Sequence, residues 1–153
     1  MGTTRESDKV SRSPGSDMCT YRMGEPLPKA VVEFEPDALA HLAWEGIPDF
    51  GRERCLKNQS DQESFFGSIL MMPTLRRVVV AGTCREYGDL IGRSPGTVEV
   101  SPVDEFGQAK DALHRMLRLA CGESQVDLTW FRIFYVYGPG QRRESLIPSL
   151  LHQ

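Results

Sequence analysis

The stretch Arg76-Arg77-Val78-Val79-Val80-Ala81-Gly82 decides the fold class, because it is the clearest strand in the sequence. Its β-branched run is charged only at the entry and is closed by glycine, a pattern typical of a strand inside a sheet. We therefore expect a central, buried strand here, with the rest of the domain arranged around it.

Two further segments predict strands on either side of this one in the chain. Ala38–Ala43 is short and mostly apolar, which suits a strand buried on both faces of a parallel sheet. Leu128–Tyr137 is a long strand pattern ended by the sequence Gly-Pro-Gly at 138–140.

Two helices are predicted between these strands. Arg52–Met72 precedes a proline and places one apolar stripe on a helix: Leu56, Phe65, Phe66, Ile69 and Leu70. Gly107–Ala120 is amphipathic and ends near Gly122, with an apolar face formed by Ala109, Leu113, Met116, Leu117 and Ala120. The alternation of strand and helix implies an α/β fold with a parallel sheet and flanking helices.

The composition limits which partners and which cellular location are expected. The 153 residues carry 18 Lys and Arg against 21 Asp and Glu, for a net charge of −3, which gives no basic surface for nucleic acid or anionic membrane. No apolar run approaches the roughly 20 residues that span a bilayer, and the Met1 region lacks a signal-peptide core. We expect no membrane partner and a cytoplasmic location. Residues 1–30 are polar and without apolar period, so they are expected to be disordered, with the folded domain over 31–153.

The cysteines and histidines predict no metal site. The four cysteines are 36, 29 and 37 residues apart, and the three histidines are scattered, so no ligand spacing typical of zinc occurs. We expect reduced thiols, and histidines that are structural or solvated.

Four strings lie where a parallel sheet presents its ligand site, just after each strand or at the start of the second helix. They are HLAWE at 41–45, VVVAGTCREYG at 78–88, FGQAK at 106–110 and RIFYVYGPGQ at 132–141. In this order they resemble the extended short-chain dehydrogenase/reductases, specifically the NAD-dependent epimerase/dehydratase group acting on nucleotide sugars. The resemblance covers Pro36 to about Leu151. It implies a partial Rossmann-like domain that lacks the first βαβ unit and the C-terminal substrate domain.

The resemblance also implies a catalytic set. Thr83 takes the position of the hydroxyl that binds a substrate oxygen, and Lys110 takes the position of the lysine that lowers the pKa of a tyrosine four residues earlier. The interval of four places both side chains on one helix face. The tyrosine position is Phe106, which has no ionisable proton, and Tyr87 is the nearest phenol in sequence.

Cofactor and substrate residues follow from the same resemblance. Leu42, Ala43, Thr83, Lys110 and Phe134 take cofactor-binding positions, and the cofactor implied is NAD or NADP. Tyr135 and Arg142 take positions near the nucleotide-sugar substrate, and Asn58 falls where the group often has an Asn. However, the 14 glycines contain no G-x-x-G-x-x-G turn for the pyrophosphate, which places dinucleotide binding in doubt.

Two functions remain open from the sequence. One is an NAD(P)-dependent nucleotide-sugar epimerase, dehydratase or reductase whose missing parts come from elsewhere. The other is a non-catalytic remnant or interaction module of the same group, favoured by Phe106. Since the absent first strand would lie beside Ala38–Ala43, that strand is expected to have an open apolar edge, which favours self-association or pairing with a partner strand.

Overall fold

A computed structural model describes residues 2–4, 17–92, 98–138, 140–141 and 146–151. In chain order its elements are β1 (Gly2–Thr4), β2 (Met18–Thr20), α1 (Lys29–Phe34), β3 (Ala38–His41), α2 (Arg52–Ile69), β4 (Arg77–Thr83), α3 (Glu105–Glu123), β5 (Asp127–Ile133) and α4 (Leu146–Leu151). A short 3₁₀ helix, Cys84–Tyr87, follows β4 directly.

The main sheet is parallel, with β4 between β3 and β5. Val80 of β4 lies opposite His41 on one side and Trp130 on the other. The predicted α/β fold with a parallel sheet is confirmed, and the Arg76–Gly82 stretch does form the central strand. Because parallel strands end at the same edge, this register brings the residues after β3, β4 and β5 together.

The hydrophobic core lies between this sheet and the helices α2 and α3. Val78 and Val80 of β4 are fully buried, as are Phe66 of α2 and Leu113 and Leu117 of α3. These large apolar side chains form one cluster, so the sheet and both helices share one core. The core fixes where α3 begins relative to the end of β4.

The prediction that Ala38–Ala43 is buried on both faces is wrong. The strand ends at His41, its side chains alternate in exposure, and Leu42 just beyond it is 73% exposed. Among the described residues β3 pairs only with β4, so it is an edge strand. A continuous apolar run does not distinguish an edge strand from a central one.

Three smaller predictions need correction. β5 ends at Ile133 rather than Tyr137, because the following side chains are exposed beyond the end of the β4 partner strand. Leu56, placed on the buried stripe of α2, is 55% exposed, and Cys55, Asn58 and Gln62 take that face instead. Lys110, which is not among the residues of the predicted apolar face of α3, is buried.

Folded structure also begins earlier than the sequence suggests. Within the segment predicted to be disordered, β2 pairs in parallel with β1, and Tyr21 is buried in the core cluster. Met23 and Leu27 pack against the same cluster. Single large side chains separated by polar residues form no periodic pattern. For this reason the sequence did not predict ordered structure over residues 17–28.

None of the helices in the described part of the chain combines the length and apolarity needed to cross a membrane.

Candidate functional site

Thr83, the last residue of β4, caps the 3₁₀ helix that follows it. Its Oγ1 accepts a hydrogen bond from the Arg85 backbone N–H at 3.3 Å. Its own N–H donates to Glu86 Oε1 at 2.7 Å, which completes a capping box. The Thr83 side chain is buried, so the hydroxyl expected to face a substrate acts in the local turn in this structure.

Glu86 forms the centre of a polar cluster that the sequence analysis did not detect. Its carboxylate is fully buried and accepts hydrogen bonds from Trp130 Nε1 at 3.0 Å and from Arg132 Nε at 2.7 Å, in addition to Thr83 N. Burial acts to lower the pKa of the Arg132 guanidinium, but the hydrogen bond to Glu86 and the charge of that carboxylate raise it, and the pKa is raised on balance. The detectable signal was the Trp-x-Arg spacing in β5, since residues two apart in a strand share one face.

Gly82 makes room for this cluster. A Cβ at this position would lie 2.6 Å from Glu86 Oε1 and closer still to Trp130 Nε1. The glycine that closes the β4 pattern is therefore required by the close approach of side chains from β5 and the 3₁₀ helix.

Lys110 extends from α3 toward the end of β4. Its Nζ donates a hydrogen bond to the Ala81 carbonyl at 2.9 Å, and the side chain is only 4% exposed. Burial lowers the pKa of this ammonium to about 8, although the carboxylate of Glu86 acts in the opposite direction. The Nζ also lies 4.6 Å from the centroid of the Trp44 ring, a cation–π contact.

Phe106 lies one helical turn before Lys110, as the spacing predicted. Its ring packs edge-to-face against Trp44 at 4.9 Å and tilted against Phe50 at 4.7 Å. The Arg85 guanidinium lies over the Phe50 ring at 5.1 Å. Phe106 is thus held by aromatic packing, and it offers no proton to a reacting group.

The start of α3 is fixed against the 3₁₀ helix. Asp104 caps α3 by accepting a hydrogen bond from Gly107 N at 2.8 Å, and its carboxylate pairs with Arg85 at 3.4 Å. A Cβ on Gly107 would lie 2.6 Å from the Arg85 carbonyl oxygen, so the FGQAK string needs glycine for this close packing.

Trp44 and Glu45 end the HLAWE string, and the sequence assigned neither of them a role. Trp44 Nε1 is shielded from solvent and has no hydrogen-bond partner in the described structure. The next residue, Glu45, is held on both sides of its backbone by Asn58, which accepts from Glu45 N at 2.7 Å and donates to Glu45 O at 3.0 Å. Asn58 therefore fixes the segment that carries Trp44.

His41 is a packing residue in this structure. Its Nε2 lies 2.9 Å from Gln62 Oε1, and its ring stacks on Phe65 at 5.6 Å. Burial lowers the pKa of His41 to about 4, so the imidazole is neutral near pH 7.

Four of the remaining predicted residues directly follow strands: Leu42 and Ala43 follow β3, and Phe134 and Tyr135 follow β5. Leu42 and Ala43 are exposed and line a cavity of about 530 Å³ along the outer side of β3, whose walls are mainly apolar. Phe134 stacks on Tyr87 at 6.1 Å, and Tyr135 is 87% exposed. Arg142 lies outside the described residues.

Lys110 and Thr83 both make their contacts within the fold. The ammonium donates to Ala81 and is covered by the Trp44 ring, and the Thr83 hydroxyl acts in the capping box. The structure thus brings Phe106 and Lys110 together, but in a closed arrangement.

Comparison with known proteins gives consistent matches. The model of the NAD dependent epimerase/dehydratase family matches residues 19–153. The dTDP-6-deoxy-L-talose 4-dehydrogenase (NAD(+)) of Aggregatibacter actinomycetemcomitans is 26% identical over 116 residues, 75% of this chain and 43% of that protein.

Solved structures share the fold at low identity. The UDP-glucuronic acid 4-epimerase of Bacillus cereus in complex with NAD has a TM-score of 0.72 at 19% identity, covering 88% of this chain and 46% of its own. The dTDP-glucose 4,6-dehydratase of Bacillus anthracis in complex with NAD has a TM-score of 0.73 at 20% identity, covering 95% and 45%. This chain thus spans about half the length of its relatives. With the family match extending over most of the chain, this protein belongs to the NAD-dependent epimerase/dehydratase family.

Proposed function

We propose that this chain is a non-catalytic member of its family, which retains the framework of a nucleotide-sugar epimerase, dehydratase or reductase without the tyrosine-dependent step. The observation that carries the proposal is Phe106, one turn before Lys110 and enclosed by Trp44 and Phe50. A phenyl ring has no proton to transfer. Losing a positioned acid or base typically reduces a rate by about 10²–10⁴-fold.

The retained residues act as a framework under this proposal. Lys110 is the counterpart of a lysine that lowers the pKa of a neighbouring phenol, and no phenol is present at position 106. Its ammonium instead connects α3 to the end of β4 through Ala81. Thr83 likewise stabilises the turn after β4.

The cofactor and substrate come to this chain only by resemblance. NAD or NADP, where bound, supplies a hydride acceptor, and the relatives' names point to UDP- and dTDP-linked sugars as substrates. The residues present do not fit a dinucleotide as they are placed, because Lys110 is covered and the 153 residues contain no G-x-x-G-x-x-G turn.

A second candidate is an active enzyme in which Tyr87 supplies the phenol. Tyr87 ends the 3₁₀ helix after Thr83, stacks on Phe134, and lies 5.1 Å below the Arg132 guanidinium. These contacts hold its ring next to the strand end where the substrate is expected. Turnover by the unmodified chain that is lost in Tyr87→Phe would favour this candidate.

The experiment compares the wild-type chain with Phe106→Tyr and with Phe106→Leu, a matched control that gains no phenol. NADH formation is followed with NAD and dTDP-6-deoxy-L-talose, the compound in the name of the curated relative. We expect no turnover from the wild type or from Phe106→Leu, because neither has a phenol at position 106 and Lys110 is covered. Turnover that appears in Phe106→Tyr and not in Phe106→Leu would show that the missing phenol alone prevents the reaction. Wild-type turnover that Phe106→Tyr does not increase contradicts the proposal.

A further inference from the structure

One edge of the main sheet is unpaired. Among the described residues β3 pairs with β4 alone, so the backbone groups on the other side of β3 have no partner strand. The four residues of β3 include no proline and no Lys, Arg, Asp or Glu, the features by which proteins protect such edges. An unprotected edge of this kind is a site at which another strand can be added.

An apolar groove runs along this edge. The cavity of about 530 Å³ on the outer side of β3 is lined by β3 itself, by side chains from residues 21–34, and by Phe65 and Ile69 of α2. Its described lining includes no Lys, Arg, Asp or Glu, so the groove fits an uncharged, apolar occupant. A polypeptide strand would also pair the backbone groups of β3, whereas a small apolar molecule would leave them unpaired.

The same chain carries a strand-like segment that belongs to no sheet in the described structure. Residues 134–137, Phe-Tyr-Val-Tyr, directly follow β5, which ends at Ile133. Their side chains are between 56% and 87% exposed, although aromatic and β-branched residues are the types most enriched in strands. These four uncharged residues match the four residues of β3 in length and the apolar groove in chemistry.

The segment is too short to fill the groove of its own chain. It begins at the end of β5, and β4 lies between β5 and β3. The position beside the outer edge of β3 is therefore three strand spacings away from β5, or about 14 Å. Four extended residues span about 13 Å, which leaves none of them to pair with β3. The strand that fits the groove must come from another molecule.

We propose that this chain forms a dimer in which each copy inserts residues 134–137 into the β3 groove of the other copy. The exchange adds a fourth strand to each main sheet and covers the apolar side chains of both the segment and the groove. Because the two insertions are reciprocal, the assembly is closed and has twofold symmetry. The association requires neither a cofactor nor turnover, so its test is independent of the proposed function.

The test is sedimentation equilibrium of the wild type and of two lysine variants. Ala40→Lys places an ammonium in the groove, and Val136→Lys places one on the inserted segment. Both parent side chains are exposed, so each variant should keep its fold, which urea unfolding checks. We expect a wild-type dimer at micromolar concentration, and an apparent dissociation constant at least about tenfold higher in each variant, because burying an unpaired charge is unfavourable. Ala38→Lys, at another exposed position of the groove, replaces Ala40→Lys if that variant does not fold.

A mixture of the two variants tests the exchange itself. Ala40→Lys retains an intact segment, and Val136→Lys retains an intact groove. We therefore expect an equimolar mixture to form a heterodimer under conditions in which each variant alone is monomeric.

Leu119→Lys is the matched control, because Leu119 is an exposed apolar residue of α3 that belongs to neither surface. Its dissociation constant should equal that of the wild type. A monomeric wild type, a dimer that persists in both single variants, a mixture that does not associate, or a dimer that is lost in Leu119→Lys overturns the proposal.

Discussion

Two buried charges lie near the end of β4, each beside a tryptophan, and they differ in how well they are satisfied. Glu86 accepts hydrogen bonds from the Thr83 backbone, Trp130 Nε1 and Arg132 Nε. Lys110 has the Ala81 carbonyl and the face of Trp44, whose own Nε1 is unpaired in the described structure. One tryptophan donates to its neighbouring charge, and the other only covers it.

This difference indicates that the Glu86 cluster holds the fold together, whereas the Lys110 cluster is part of the candidate site. A fully bonded buried carboxylate fixes the geometry of β4, β5 and the 3₁₀ helix, and any change to it removes several bonds together. The buried Lys110 ammonium has one hydrogen-bond acceptor among the described residues, so its burial is less well compensated than that of Glu86.

The largest effect is expected from Glu86→Gln. The substitution keeps the shape but removes the charge paired with Arg132 and places an amide among three donors, so we expect a loss of about 3 kcal/mol in the free energy of unfolding. Urea unfolding measures it. The matched control is Glu33→Gln, because the Lys29–Glu33 pair is 86% and 63% exposed and should contribute at most about 0.5 kcal/mol. Equal effects of the two substitutions would show that the Glu86 cluster is not a scaffold.

A smaller effect is expected from adding one methyl group to the scaffold. Gly82→Ala forces a Cβ to within 2.6 Å of Glu86 Oε1, so we expect a loss of about 1–3 kcal/mol. Gly67→Ala is the control, because a Cβ there meets nothing within 4 Å in the middle of α2. That variant should gain about 0.5–1 kcal/mol from the higher helix propensity of alanine. A stable Gly82→Ala protein would mean that Trp130 and Glu86 adapt easily, and the two clusters would then be alike.

Much of the fold was predictable because it rests on long periodic segments. The β-branched run of β4 and the amphipathic pattern of α3 each specify their element locally. The edge position of β3 could not be read from its own residues, because it depends on which strands flank it, and it was expected only from the family's order of strands. Tyr21 entered the core unnoticed because an isolated aromatic in a polar segment has no period.

The spacing of the site residues along the chain was predictable, but the burial and hydrogen bonding of Lys110 and Glu86 were not. The interval from Phe106 to Lys110 correctly placed both on one face of α3. That Lys110 is buried beneath Trp44 follows from the packing of the β3–α2 segment, which is distant in sequence. The burial of Glu86 could not be predicted from its neighbours in sequence, because its three donors come from two separate strands.

The most direct measurement of this contrast is the emission of Trp44 as a function of pH, taken as the difference between the wild type and Trp44→Phe, since Trp130 is present in both proteins. Because burial lowers the pKa of Lys110 to about 8, deprotonation removes the cation from the indole face near that pH. We predict an emission change with a midpoint near pH 8 that is absent when Lys110→Met is added. A transition near the ordinary lysine value of about 10.4, or one that persists in Lys110→Met, would contradict a buried ammonium covered by Trp44.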